Sequence, residues 1–179
     1  VTLDGAGVLT LGQSDTIGRL AGTGGTVNLG ATTLTLSDGQ GASSAAVITG
    51  TGGVTLTTGT QTLSGASTYT GATNVNGGTL ALTGSLTGTE VNVASGAALT
   101  TTGGLADATD LTLTGTASAT FSAAETLASL SGAGTVSATD LTVGMLDGTA
   151  AITSSGTVTA SSGTFSGDIL SGNIVKTSA

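Results

Sequence analysis

Ten Asp and Glu stand against Arg19 and Lys176, and the chain has no histidine and no cysteine. Acid–base work by paired carboxylates is therefore the one catalytic scheme this composition leaves open. Asp107 and Asp110 are the only acids within four residues of each other. They lie in Ala106-Asp107-Ala108-Thr109-Asp110, where short acidic side chains more readily bond their own backbone in a turn. Sugar-cleaving sites also want aromatic platforms, and the chain offers only Tyr69, Phe121 and Phe165. Ser and Thr are abundant, but without a histidine base, and with no Gly-x-Ser-x-Gly elbow, they are not activated nucleophiles. The 32 glycines form no Gly-x-Gly-x-x-Gly or Walker pattern, so they read as turn residues and not as a phosphate cradle. The Gly-Gly-x-Gly-x-Asp nonapeptide that loads calcium into some solenoids is missing. The expectation is a non-enzyme, with no catalytic, cofactor or metal residue and no cofactor.

Any such side chains would have to be carried on very short elements. Apolar pairs two apart recur throughout: Val27/Leu29, Leu34/Leu36, Val54/Leu56, Leu80/Leu82, Val91/Val93, Leu111/Leu113 and Leu141/Val143. Period-two alternation in short runs is the mark of strands, and Gly24-Gly25, Gly52-Gly53, Gly77-Gly78 and Gly103-Gly104 fall between them as turns. Ser122–Ser131 places Leu127 and Leu130 three apart, but its Thr and Ser content favours a strand there too.

Thr, Gly, Ala and Ser dominate the chain, which by itself resembles low-complexity disorder. Only 7% of residues are charged and mean hydropathy is +0.42, so an open coil would expose apolar surface along its length and collapse is favoured. The net charge of −8 repels nucleic acid and anionic membrane surfaces. No apolar run is long enough to cross a bilayer as a helix, and no secretion signal is visible.

Residues 1–24 laid on 111–134 agree at Thr2/Thr112, Leu3/Leu113, Gly5/Gly115, Thr10/Thr120, Thr16/Thr126, Leu20/Leu130, Gly22/Gly132 and Gly24/Gly134, with acids paired at Asp15/Glu125. This suggests a repeat unit of residues 1–110 and a partial second unit, 111–179, within a single segment 1–179 of a longer stacked array. A β-sandwich would need large side chains to fill a gap of about 10 Å, whereas a narrow solenoid can be filled by Leu, Val, Ala and Thr. The expected architecture is all-β, a right-handed parallel β-helix with coils of roughly 20 to 30 residues, about seven coils in all.

Within 52–82 the run Gln61-Thr62-Leu63-Ser64-Gly65-Ala66-Ser67-Thr68-Tyr69-Thr70-Gly71, followed by Thr73-Asn74-Val75-Asn76-Gly77-Gly78-Thr79-Leu80, resembles the passenger-associated transport repeat of Gram-negative autotransporters. Ser67 stands where that family usually has Asn. Looser likeness extends to Asp15–Gly30 and Glu125–Val136, and residues 165–176, ending in Lys176, resemble the lead-in to another copy. The resemblance implies a β-helical passenger at the cell surface, with Leu63, Gly65, Tyr69, Gly71, Val75, Gly77, Gly78 and Leu80 as structural positions of the repeat. It also implies export through an outer-membrane β-barrel elsewhere in the same precursor.

The function expected from this is structural or adhesive: adhesion to a host or neighbouring cell, self-association, or projection from the surface of a Gram-negative bacterium. A β-helical polysaccharide-acting enzyme and an inert mechanical spacer are the alternatives. Threonines two apart can also order water on a flat strand face. The pairs Thr33/Thr35, Thr55/Thr57, Thr60/Thr62, Thr100/Thr102, Thr112/Thr114 and Thr157/Thr159 begin at unequal intervals, however, so on equal coils they are not expected to align. Tyr69 is expected to pack its ring inward with its hydroxyl at the surface.

Overall fold

The alternating pairs form strands of three or four residues over most of the chain, such as Leu34–Leu36, Val54–Leu56, Thr79–Leu82 and Asp110–Leu113. Every strand pairing is parallel to a strand in the preceding or following coil. The computed structural model describes residues 1–88 and 90–177. It is an all-β parallel solenoid of about 9 turns, with no helix among the described residues. Thr89, Ser178 and Ala179, part of the expected segment 1–179, lie outside the described residues.

Each turn has three faces. Face A stacks Asp15–Ile17, Leu34–Leu36, Val54–Leu56, Thr73–Val75, Glu90–Val93 and Asp110–Leu113. Face B stacks Ala42–Ser44, Thr60–Leu63, Thr79–Leu82, Ala98–Thr101, Ser118–Phe121 and Thr135–Ala138. Face C begins with Val8–Thr10, Thr26–Asn28 and Val47–Thr49 and thins to the single bridges Ser67 to Leu86 to Leu105. Further on, strands run round the corners. Glu125–Gly132 pairs its later residues with face A and its first three with Leu141–Val143, and Ala151–Ser162 likewise pairs with Thr135–Ala138 and then with Leu141–Val143.

The expectation of about seven coils is corrected to about nine turns. Paired residues on adjacent coils stand 16 apart at Glu125 and Leu141 and 22 apart at Gly22 and Ser44, with the other pairs between. Coils are shorter than expected because the corners consume few residues. Either a positive-φ glycine reverses the chain or the strand simply bends through.

Parallel stacking puts like positions over one another, and this builds the interior. On face A the columns are Leu34, Val54, Thr73, Val91, Leu111, Leu130, Leu146 and Leu36, Leu56, Val75, Val93, Leu113, all buried. Each such Leu or Val is worth about 1.5–3 kcal/mol of burial. Adjacent coils are about 4.8 Å apart, so these aliphatic columns fill most of the axis, and the rings of Tyr69 and Phe121 are buried among them.

The offset of 110 carries each strand to a different face. Thr2 pairs with Ala21 in the face B column, whereas its counterpart Thr112 pairs with Ser131 in the face A column. A unit of that length advances along the axis and also rotates by one face. Gly5 and Gly115 keep their shape across it, with φ of 61° and 57°, and Gly22 and Gly132 both stay positive, whereas Gly134 has φ of 120° and Gly24 is outside that region.

Candidate functional site

Asp107 is exposed in a turn, and Asp110 opens its strand with its carboxylate accepting from Ser129 Oγ at 2.5 Å. The acid that sequence reasoning missed is Glu125, 6% exposed at an inward position, where Oε1 accepts the Leu105 N–H at 3.1 Å. Burial pushes its carboxyl above the usual range. The backbone N–H groups of Leu105 and Thr126 pull it partly back, and the charge of Asp107 pushes it up further. The aligned acids Asp15/Glu125 were the one signal in the sequence that marked this position. Glu125 takes the place of a backbone rung where the thin face C ladder ends at Leu105, which is a structural task.

Other acids act between coils as well. Asp4 accepts from Thr23 N–H at 3.0 Å and Thr23 Oγ1 at 3.1 Å, Asp140 from Thr157 N–H at 2.7 Å, and Asp147 from Thr164 N–H at 2.6 Å and Thr164 Oγ1 at 3.0 Å. Asp4, Asp140 and Asp147 thus tie one coil to the next. Among the described residues no group of three or more acids or other metal-ligating side chains is assembled.

The segment singled out in the sequence runs one coil, from Gln61 to its stacking partner Leu80. Leu63, Val75 and Leu80 point into the core, each at most 2% exposed. Tyr69 is fully buried, and its hydroxyl meets Thr73 Oγ1 at 2.7 Å. This corrects the expectation of a surface hydroxyl: the inward Thr73 satisfies the phenol inside the core. Burial pushes the Tyr69 pKa up to about 12, with the Thr73 bond lowering it slightly. Gly65 stacks on the Ala45–Ala46 backbone, Gly71 on Gly52 and Gly77 on Thr57. At Gly78, with φ of 72°, a Cβ would lie 1.9 Å from the Gly59 carbonyl oxygen. Coil stacking therefore demands glycine at the corner.

Gln61 supplies a second buried rung. Its side-chain Nε2 donates to Leu20 O at 2.7 Å, Thr62 O at 3.0 Å and Ala42 O at 3.2 Å, while Oε1 accepts Leu20 N–H at 3.1 Å. It reaches across two coils where the Gly22–Ser44 stretch pairs through a single bridge. No pattern in the sequence marks this role.

The outward positions are also ordered. Face A carries one column of Thr16, Thr35, Thr55, Asn74, Asn92, Thr112 and Ser131. Face B carries two columns: Thr60, Thr79, Ala98, Ser118, Thr135, Ala151 and, two residues on, Thr62, Ala81, Thr100, Thr120, Ser137, Thr153. As expected, the threonine pairs do not line up on one face: Thr33/Thr35, Thr55/Thr57 and Thr112/Thr114 fall on face A, Thr60/Thr62 and Thr100/Thr102 on face B, and Thr159 opposite Thr142; only single members stack, Thr35 with Thr55 and Thr112, and Thr62 with Thr100. The short interval from Thr55 to Thr60 crosses a corner between faces, and the long one from Thr60 to Thr100 spans two coils of face B. No charge interrupts the twelve face B positions, and among the described residues none of their nine hydroxyls bonds to protein.

A hollow of about 290 Å³ lies at the last coil, lined by Leu146, Val158, Phe165, Ile169, Ile174 and Lys176. It pairs an apolar floor with one cation and contains no acid–base couple. Residues 58–82 match the family model described as the passenger-associated-transport-repeat, consistent with an autotransporter passenger repeat. No curated protein and no solved structure matches the chain. A parallel β-solenoid carrying that repeat fits an autotransporter passenger.

Proposed function

We propose that this chain is the structural part of a surface-exposed passenger of a Gram-negative bacterium, and that its work is adhesion or self-association. In this reading the solenoid is a right-handed β-helix, the hand taken by nearly all parallel crossovers. A β-barrel elsewhere in the precursor exports it. The observation that carries the proposal is the transport repeat at 58–82 set within about 9 continuous turns, with its conserved-type positions spent on stacking and not on a pocket. Export of an unfolded chain suits the architecture, since each coil needs only its neighbour to fold, and the absence of cysteine avoids premature disulfides.

Beads coated with the chain test this. Binding to cells or clumping of the beads supports an adhesive role, and neither result leaves only a mechanical spacer. Cleavage of polysaccharides that stops on Asp107→Asn or Asp110→Asn would instead establish the enzymatic reading.

A second reading, ordering of water against a flat face, is favoured by the two columns of face B. Hydroxyls and methyls there repeat about every 4.8 Å along the axis, two residues apart across it. Thermal hysteresis that is lost on Thr100→Lys, with the fold intact, would support it, and absence of hysteresis in the parent chain rejects it.

A further inference from the structure

We propose that Asn76 is a site of spontaneous covalent modification, in which its side-chain amide is converted to aspartate and isoaspartate inside the transport-repeat corner. Three observations converge there. Asn76 is exposed at the corner after Thr73–Val75, and its side chain makes no hydrogen bond among the described residues. Gly77 follows it, so no side chain hinders approach of the Gly77 nitrogen to Asn76 Cγ. The Gly77 N–H is itself unbonded among the described residues, so its peptide plane can turn without losing a partner.

The other asparagines are held or shielded. Asn28 accepts Gly30 N–H at 3.0 Å and precedes Leu29. Asn74 accepts from Asn92 at 3.1 Å, and Asn92 also donates to Glu90 Oε1 at 2.8 Å. Both of these precede a β-branched valine, and Asn173 precedes Ile174.

The chemistry needs only water. The Gly77 backbone nitrogen attacks Asn76 Cγ, a C–N bond forms, and the side-chain amide leaves as ammonia after taking up the proton from that nitrogen. The resulting five-membered imide is opened by one water at either carbonyl. Opening at the side-chain carbonyl gives aspartate. Opening at the main-chain carbonyl gives isoaspartate, with the main chain rerouted through the side chain and one carbon longer. No electrons are transferred.

The corner has little room for that extra carbon. Asn76 N–H bonds Leu56 O at 2.8 Å and Thr79 N–H bonds Gly59 O at 2.7 Å, which pins both ends of the corner to the coil below. Between those pins, a Cβ on Gly77 would meet Thr57 O at 2.5 Å and one on Gly78 would meet Gly59 O at 1.9 Å. The longer backbone must therefore bulge outward or release a stacking bond.

The folded chain and a free peptide of residues 73–79 are aged together in mildly alkaline water labelled with heavy oxygen, then peptide-mapped by mass spectrometry with an isoaspartate-specific methylation assay. Label is expected at Asn76 in both. In the folded chain it should accumulate at least about tenfold faster than at Asn28, Asn74 or Asn92, the factor set by about 1.4 kcal/mol of added barrier. The Asn76→Ser chain should age without the earlier melting expected of the modified parent. Retention of the Asn76 amide in the folded chain while the peptide converts would overturn the proposal, as would equal conversion at the bonded asparagines.

Discussion

Replacing Gln61 by leucine tests whether a buried amide substitutes for a missing backbone rung. Leucine keeps nearly the same volume, so Gln61→Leu should create little cavity and isolates the hydrogen bonds. In the parent, the amide satisfies both the N–H and the C=O of Leu20, a residue with 0% exposure, at 3.1 and 2.7 Å. Orphaning two buried backbone groups costs about 1–3 kcal/mol each. Added apolar burial by leucine returns about 1 kcal/mol. The net expectation is a loss of about 3 kcal/mol, or roughly 6–12 °C of Tm for a domain of this size. Because coils couple mainly to their neighbours, the damage should concentrate locally. Amide hydrogen exchange should quicken at Leu20 and Ala42 and change little at Leu141 or Val158. A variant melting at or above the parent, with Leu20 still protected, would refute the reasoning and show that the coils relax to pair those groups without help.

Tyr69→Phe should cost about 1 kcal/mol, because it leaves Thr73 Oγ1 buried without its partner; a denaturant titration measures this. In the parent, the phenol should ionise near 12 by absorbance titration. Its folded pKa lies above the unfolded value near 10, so its contribution is complete below about pH 10 and is lost as pH rises toward 12. Glu125 is also raised, so its contribution is complete below the ordinary carboxylate pKa and shrinks as pH rises through the folded value. Glu125→Gln keeps an acceptor for Leu105 N–H and should be at least as stable as the parent at neutral pH, with the difference vanishing in acid; a pH series of melting curves checks both. Gly78→Ala combines a φ of 72° with a 1.9 Å overlap and should destabilise by more than about 2 kcal/mol. Gly12→Ala, where a Cβ meets nothing within 4 Å, should lie within about 0.5 kcal/mol of the parent by the same denaturation assay.

Much of the fold is legible in the residues. Period-two pairs such as Leu34/Leu36 and Val54/Leu56 mark strands, small side chains select a thin solenoid over a sandwich, and the Gln61–Leu82 run carries the transport-repeat pattern. All of these are local signals. The number of turns was not legible, because it depends on how many residues every corner consumes. The same accumulation hid the alignment of Thr62 with Thr100 and Thr120, which belong to one column although their intervals differ.

The buried polar rungs were hidden for a related reason. Gln61 sits in a Thr-rich strand like any other polar residue, and only the irregular stacking of Gly22 on Ser44, in the two coils before it, creates the gap that its amide fills. Glu125 likewise becomes a rung only because the face C ladder stops at Leu105. By itself the sequence determined the strand period, the parallel stack and the absence of histidine and thiol chemistry, since these follow from residue types and near-neighbour spacing. Tertiary structure alone decided which residues share a column, which acids brace adjacent coils and which amide stands in for a backbone bond, since each depends on register summed over many corners.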